Sequence, residues 1–231
     1  MTKVLLLLVA VSCSAAEWPC AGREQKNEKI LSVNNVSKLQ LVIKLKLGDA
    51  PLGPPVMLGG LVTAKGIKDL VILAAGGSVY AVDSDLGTLL WERHLEEPRA
   101  VVPVLQPSSG DAEEDHLFFG VRPLFLMQAG RRTVALNAGN GVDMDTPKQI
   151  PSCTTYKSDA AVANGVRFVL ANGATKPVLQ ALDAKDGREL FNSGDQIAAP
   201  VGSSGLAIAN GHVCFGDTKG TLYCYGFPID F

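Results

Sequence analysis

Charge is sparse in this 231-residue sequence, and neither sign dominates: Asp, Glu, Lys and Arg together make up 19%, for a net charge of −2. There is no Lys/Arg run and no basic stripe, which argues against nucleic acid as a partner. Long apolar runs are missing as well. The run Val4 to Val11 is eight residues long, far short of the roughly 20 that a membrane-spanning helix needs. Histidine is scarce, and His94, His116 and His212 each stand alone among apolar or acidic neighbours. They read as surface or strand-packing residues rather than metal ligands. No Cys-x-x-Cys and no Cys/His cluster at zinc spacing occurs. After residue 40 no apolar pattern of helical period reaches a useful length. What is abundant is apolar residues, at 47%, which marks a globular chain rather than a disordered one. The length suffices for one substantial core or two small ones.

The first residues read as a signal peptide, 1–16. Lys3 supplies a positive start, Val4 to Val11 the apolar stretch, and Ser14-Ala15-Ala16 the small residues of a cleavage site. The expected consequence is export, periplasmic or secreted, with a mature chain beginning at Glu17. A lipid anchor at Cys13 is the weaker alternative, since the usual Leu three residues earlier is absent. Export places the chain where disulfides persist. Cys20, Cys153, Cys214 and Cys224 then remain, and four cysteines allow three full pairings.

The strongest signal is internal repetition. Val79-Tyr80-Ala81-Val82-Asp83 continues through Gly87 to Trp91; Val134-Ala135-Leu136-Asn137 continues to Gly141; Leu179-Gln180-Ala181-Leu182-Asp183 continues through Gly187 to Phe191. Each copy reads Ala, an apolar residue, Asp or Asn, three residues, then Gly. Leu222-Tyr223-Cys224-Tyr225 is a degenerate fourth copy with Cys224 at the Ala position. Ala81, Ala135, Ala181 and Cys224 follow one another at intervals of 54, 46 and 43 residues. Ala161 to Val166 and Ala207 to His212 form a second matched pair, each built around Asn-Gly. A period in the forties of short strands and glycine turns is that of a four-stranded propeller blade. The expected fold is therefore all-β, a β-propeller of four-stranded antiparallel blades, about four in number. After an N-terminal segment, 17–55, the blades are placed at about 56–98, 114–150, 160–195 and 198–229. Residues 106–115, polar and acidic with Pro and Gly, read as a surface loop or linker, and 143–159 as a second irregular stretch.

Each conspicuous residue has a structural reading. Asn164-Gly165 and Asn210-Gly211 can supply the positive φ angles of two-residue hairpin turns. Asp83, Asn137 and Asp183 can bond backbone groups of the following turn, where Gly87, Gly141 and Gly187 take a left-handed conformation. Trp91 and Phe191 fall on the next strand, able to pack between blades. Ala81, Ala135 and Ala181 complete this set of structural repeat positions.

These copies resemble the pyrroloquinoline-quinone (PQQ) repeat of the quinoprotein alcohol dehydrogenase-like propellers. The N-terminal Glu17-Trp18-Pro19, Asn35 to Gln40 and Lys44 to Leu47 are similar to that family's opening, except that Ile43 stands where a Trp is usual. Gly220 to Pro228 looks like its last blade. The resemblance implies seven or eight blades, so this chain looks internally shortened, near 98–115. It also implies PQQ and Ca²⁺ held at the top of the funnel by a Glu, an Asn and an Asp, often beside a vicinal Cys-Cys pair. No such pair occurs, no Cys-x-x-Cys-His haem site occurs, and none of the acidic positions maps onto this chain. Catalytic and cofactor-binding residues are thus unassigned. The favoured reading is a non-catalytic binding or assembly module. The alternatives are a reduced PQQ-dependent dehydrogenase, alone or completed by a second subunit, and a degenerate copy of one.

Two further expectations concern the last blade and the ring. If Lys219-Gly220 is a two-residue turn, Cys214 faces Tyr225 and Cys224 faces Phe215. The sulfurs then lie on opposite sides of the sheet, and no Cys214–Cys224 disulfide forms. Large Trp91 and Phe191 suit the shallow wedge of a wide ring, and a half-ring would expose the faces of its first and last blades. The chain is therefore expected to self-associate, as a homodimer completing an eight-bladed ring, or to be marginally stable alone. The N-terminal segment is the candidate for a strand joining first and last blades.

Overall fold

A computed structural model describes residues 24–25, 28, 30–95, 104–106, 124–129, 132–144, 160–172, 176–201 and 205–228. Two short strands come first, β1 (Glu24–Gln25) and β2 (Gln40–Lys46). The first sheet follows as β3 (Val56–Thr63), β4 (Gly66–Ala75), β5 (Ser78–Asp83) and β6 (Leu89–His94). The second is β7 (Val104–Gln106), β8 (Leu124–Ala129), β9 (Arg132–Asn137) and β10 (Asp143–Met144). The third is β11 (Ala160–Ala163), β12 (Val166–Asn172), β13 (Pro177–Asp183) and β14 (Glu189–Asn192). The fourth holds β15 (Ala207–Ala209), β16 (His212–Gly216) and β17 (Thr221–Gly226), and takes β2 as its outer strand. The strands β3–β6, β7–β10 and β11–β14 form up-and-down antiparallel meanders, and the fourth sheet is antiparallel throughout with β2 added from the N-terminal segment. The third also carries β1, parallel to β11. The fold is all-β, a partial β-propeller, and among the described residues the only helical turns are Val36–Lys38 and Gly194–Gln196.

The second sheet opens with β7, ahead of the acidic stretch 106–115, so that stretch follows the blade's first strand rather than preceding the blade. The fourth sheet owns only three consecutive strands. β2 pairs antiparallel with β17 from Thr221↔Lys46 to Gly226↔Gln40, so the N-terminal segment completes the last blade.

One register recurs in every sheet. Ala81 opposes Trp91, Ala135 opposes Met144, Ala181 opposes Phe191, and Cys224 opposes Ile43. A bulge follows the Ala position in three of the four, after Ala81, Ala181 and Cys224. In the first, third and fourth sheets a large side chain, Trp91, Phe191 or Ile43, lies directly across, which favours a small residue at the Ala position. Central strands are continuously apolar because both their faces are covered. Leu70 to Ala75 are all buried, as are His212 to Gly216. Phe168, Phe215, Tyr223 and Tyr225 are fully buried, and a large apolar side chain in that state stabilises by about 1.5–3 kcal/mol.

The expected register of the last hairpin is wrong by one residue. Asp217 N donates to Thr221 O at 2.9 Å, Gly220 N donates to Asp217 O at 3.1 Å, and Gly220 is left-handed at φ +76. The loop is therefore Thr218-Lys219-Gly220, a type I turn closed by a glycine bulge. Asp217 stabilises it, its Oδ1 accepting from Lys219 N and Thr221 N, each at 2.9 Å. The extra residue sets Cys214 opposite Cys224 and Phe215 opposite Tyr223. Directly opposed side chains share a face, and Cys214 and Cys224, with Cα atoms 4.2 Å apart, form the disulfide that the shorter loop forbade. Cys20 and Cys153 lie outside the described residues.

Candidate functional site: the seam between the last and first blades

The seam is built from repeat positions. In the first sheet Asp83 Oδ1 accepts from Asp85 N and Leu86 N, at 3.0 and 3.1 Å, and its carbonyl accepts from Gly87 N at 2.9 Å. Asn137 Oδ1 accepts from Gly139 N, and its carbonyl from Gly141 N, both at 2.8 Å. Asp183 Oδ1 accepts from Lys185 N at 2.9 Å, and its carbonyl from Gly187 N at 2.8 Å. Gly87, Gly141 and Gly187 sit at φ +66, +70 and +77. The turns at Gly87 and Gly141 lie against the outer strand of the preceding blade. The Trp91 indole N–H donates to Ala138 O at 2.8 Å, and its ring covers Gly141. Phe191 meets Tyr225 edge-on, 5.8 Å between ring centres.

At the seam, Ile43 has the place that Trp91 has in the first blade. It is buried, opposes Cys224, and packs on Gly87 of the first blade. β15 and β3 neighbour one another along the inner side. The two blade faces that a half-ring was expected to expose thus cover each other within one chain.

The N-terminal segment clasps one end of this seam and also ties the third blade to the fourth. At the end of the β16–β17 turn, Leu47 N donates to Gly220 O at 2.8 Å, Leu52 N donates to Ala74 O at 2.9 Å, and Pro51 bridges to Ala75. Pro51 lies over Gly216, and Asp49 over Gly76 and Gly220. Between the third and fourth blades, buried Glu28 accepts from Ile30 N at 2.6 Å, Leu31 N at 3.1 Å and Gly211 N at 3.3 Å. Asn164 Nδ2 donates to the carbonyls of Glu28 and Leu31, at 2.6 and 2.8 Å. Glu28 therefore ties together two matched hairpin turns, whose Asn164 and Asn210 have φ of +46 and +50.

The electrostatics concentrate beside this clasp. Buried His212 places Nε2 4.0 Å from Asp85 Oδ1 across the seam, and Nδ1 3.0 Å from Asn210 O. Burial, reinforced by the charges of Asp69 and Asp83, raises the Asp85 carboxyl above the ordinary carboxylate value, with His212 and Lys68 opposing. Burial likewise raises the Tyr223 hydroxyl, and pushes that of Tyr225 up to about 12. Tyr223 O–H donates to Asp217 Oδ2 at 3.2 Å and accepts from Ala198 N at 3.1 Å.

Ala81, Ala135 and Ala181 stand on β5, β9 and β13, with Asp83, Asn137 and Asp183 at the ends of those strands, the Gly positions in the turns that follow, and Trp91 and Phe191 on the outer strands β6 and β14. Sequence patterns did not single out Glu28, Asp85 or Asp217, and His212 read as a surface or packing residue. The one available signal was Ile43, a departure from the Trp pattern. Among the described residues no three His, Cys, Asp or Glu side chains gather where they could hold a metal ion. The buried carboxylates Glu28, Asp83 and Asp217 are committed to backbone amides, and Asp83 also to Lys68 Nζ at 2.8 Å.

No family model matches the chain, and no curated protein matches it. Solved structures similar to it include the computationally designed protein Ika8, 16% identical, with 75% of this chain and 55% of that one covered at a TM-score of 0.23. BamB from Moraxella catarrhalis is 10% identical, with 82% and 100% covered at 0.18. The WD40 domain of Neurospora crassa Pan2 is 12% identical, with 87% and 62% covered at 0.20. The chain spans little more than half the length of the designed protein.

Proposed function

We propose that this chain is an exported, non-catalytic β-propeller of the PQQ-repeat type that works as a binding or assembly module. The observation that carries the reading is the commitment of the repeat's polar side chains to the frame. Asp83, Asn137 and Asp183 each accept turn amides, which leaves the blades rigid and the loops at either end available as a recognition surface. Fold alone does not bring the dehydrogenase activity with it. The Cys214–Cys224 disulfide supports an oxidising compartment, as does the Lys3, Val4–Val11, Ser14-Ala15-Ala16 leader.

Three measurements test this. Loading the purified protein with PQQ and Ca²⁺ should give no bound-quinone absorbance, no rise in melting temperature, and no alcohol or sugar oxidation with an artificial electron acceptor. A native-state ligand must raise apparent stability, so a calcium-dependent rate or shift overturns the non-catalytic reading. Intact mass of exported material should begin at Glu17, and a mass beginning at a lipidated Cys13 replaces it with a membrane-anchored form. Light scattering reads the oligomeric state. The first and last blades already abut within one chain, so a homodimer completing a wider ring would have to join elsewhere.

A further inference from the structure

The third sheet does not stop at its inner strand. The first strand of each blade lies nearest the propeller axis: β15 neighbours both β3 and β11, and β3 neighbours β7. Yet β1 is paired beyond β11, in the order β1-β11-β12-β13-β14. Glu24 stands beside Val162 and Gln25 beside Ala163. This is the only parallel pairing among the described strands.

The hairpin turn decides which backbone groups face the axis. Asn164 and Gly165 have φ of +46 and +77, so Ala163 and Val166 flank a two-residue turn and exchange both of their backbone bonds. Bonding direction alternates along a strand, which turns the N–H and C=O of Val162 away from β12 and toward the axis. The register Gln25↔Ala163 sets the Gln25 N–H beside the Val162 carbonyl. β11 is Ala160-Ala161-Val162-Ala163, and with no side chain larger than Val it lets another backbone come close.

The strand on this edge is lightly held. Glu28 is fixed by the amides of Ile30, Leu31 and Gly211, and its carbonyl by Asn164. Ahead of Glu28 the described backbone is held by the two pairs of β1, and parallel pairing is the less stable kind per residue. We propose that the axial edge of β11 docks an extended peptide from a partner protein, added as a parallel strand, and that the chain's own Glu24–Gln25 occupies this edge in cis as a displaceable plug. Main-chain bonds along an edge supply the affinity in such strand addition, and an edge left open is a template for unwanted pairing. The proposal rests on the reading of the chain as a binding module and names its partner chemistry. The quinone and calcium measurements bear on that reading and not on this edge.

Gln25→Pro in the full chain is the test, because proline removes the amide that faces Val162. The probe is a synthetic peptide of residues 17–27 carrying Cys20→Ser, and NMR reads the backbone amides. In Q25P the Val162 amide should exchange with solvent at least about tenfold faster than in the wild type, with Ala163, bonded to β12, unchanged. The peptide should bind Q25P at least about tenfold more tightly than the wild type, in which the edge is open only part of the time, and should restore the protection of Val162. Unchanged exchange at Val162 overturns the plug. Equal affinity for the two proteins, or no binding to Q25P, overturns the docking edge. If Q25P does not fold, the peptide is added to the wild type at concentrations on the order of mM, where a trans strand competes with a tethered one. Shifts of the Gln25 and Val162 amides are then expected, and their absence overturns the proposal.

Discussion

Gly87, Gly141 and Gly187 occupy the same turn in three blades, and replacing each by Ala isolates what a neighbouring blade contributes. All three have positive φ, so each Ala meets the left-handed penalty of about 1–2 kcal/mol. They differ in what the new methyl group meets. At Gly187 nothing lies within 4 Å; at Gly87 the nearest atom is Ile43 Cγ1, at 3.3 Å; at Gly141 it is Trp91 Cε3, at 2.7 Å. Ile43 can give by a few tenths of an ångström. Trp91 cannot move without breaking its bond to Ala138 O, so Gly141→Ala adds an overpacking cost of about 1–3 kcal/mol. Gly187→Ala should thus cost about 1–2 kcal/mol, Gly87→Ala slightly more, and Gly141→Ala about 2–5 kcal/mol. Urea unfolding with an unchanged m-value measures all three. A Trp91→Ala background should return Gly141→Ala to the cost seen at Gly187, a coupling of about 1–3 kcal/mol. Equal costs at the three sites, or no coupling to Trp91, would refute the idea that the aromatic position of one blade is packed on the glycine of the next.

The Cys214–Cys224 bond closes a short loop, with a sequence separation of 10. Loop-closure entropy assigns it about 2–3 kcal/mol, so reduction under mild denaturant should lower the melting temperature of the wild type and leave a Cys214→Ala/Cys224→Ala protein unaffected. Non-reducing peptide mapping should recover this bond, and its absence would restore the two-residue Lys219-Gly220 turn. The Tyr225 hydroxyl is raised from 10.0 to about 12, mainly by burial. Its contribution is fully present below pH 10 and is lost as pH rises from there toward about 12. Tyr225→Phe should flatten that alkaline loss, and an absorbance titration with Tyr225 ionising at the ordinary value would refute the burial argument.

Short-range patterns were legible because the groups that satisfy them are a few residues apart. Asp83, its turn amides and Gly87 lie within five positions, so spacing alone carries the geometry. Asn164-Gly165 and Asn210-Gly211 announce their turns in the same way. The last hairpin looked equally local and misled. Lys219-Gly220 fits a two-residue turn, but Asp217 is an acceptor able to organise one residue more. That single residue moved both cysteines onto one face. Loop length is a difference between competing local bonds, and composition does not rank them.

The seam was illegible for another reason: each of its parts has an unremarkable meaning until its partner is known. Ile43 reads as a lost Trp, yet against Gly87 it fills the aromatic position of a blade whose other strands come from the far end of the chain. Glu28 belongs to no pattern, yet it is buried and holds the amides of Ile30, Leu31 and Gly211. His212 reads as solitary because Asp85 lies in another blade. Closing a chain on itself joins its most distant segments, and their complementarity leaves no periodic trace, since it occurs once rather than once per repeat. The singular residues of a repeat protein are therefore where its closing contacts should be sought. Here Ile43 and His212 lie where the disulfide-bonded face of the last blade meets the first, and Glu28 lies one junction back, between the third blade and the fourth.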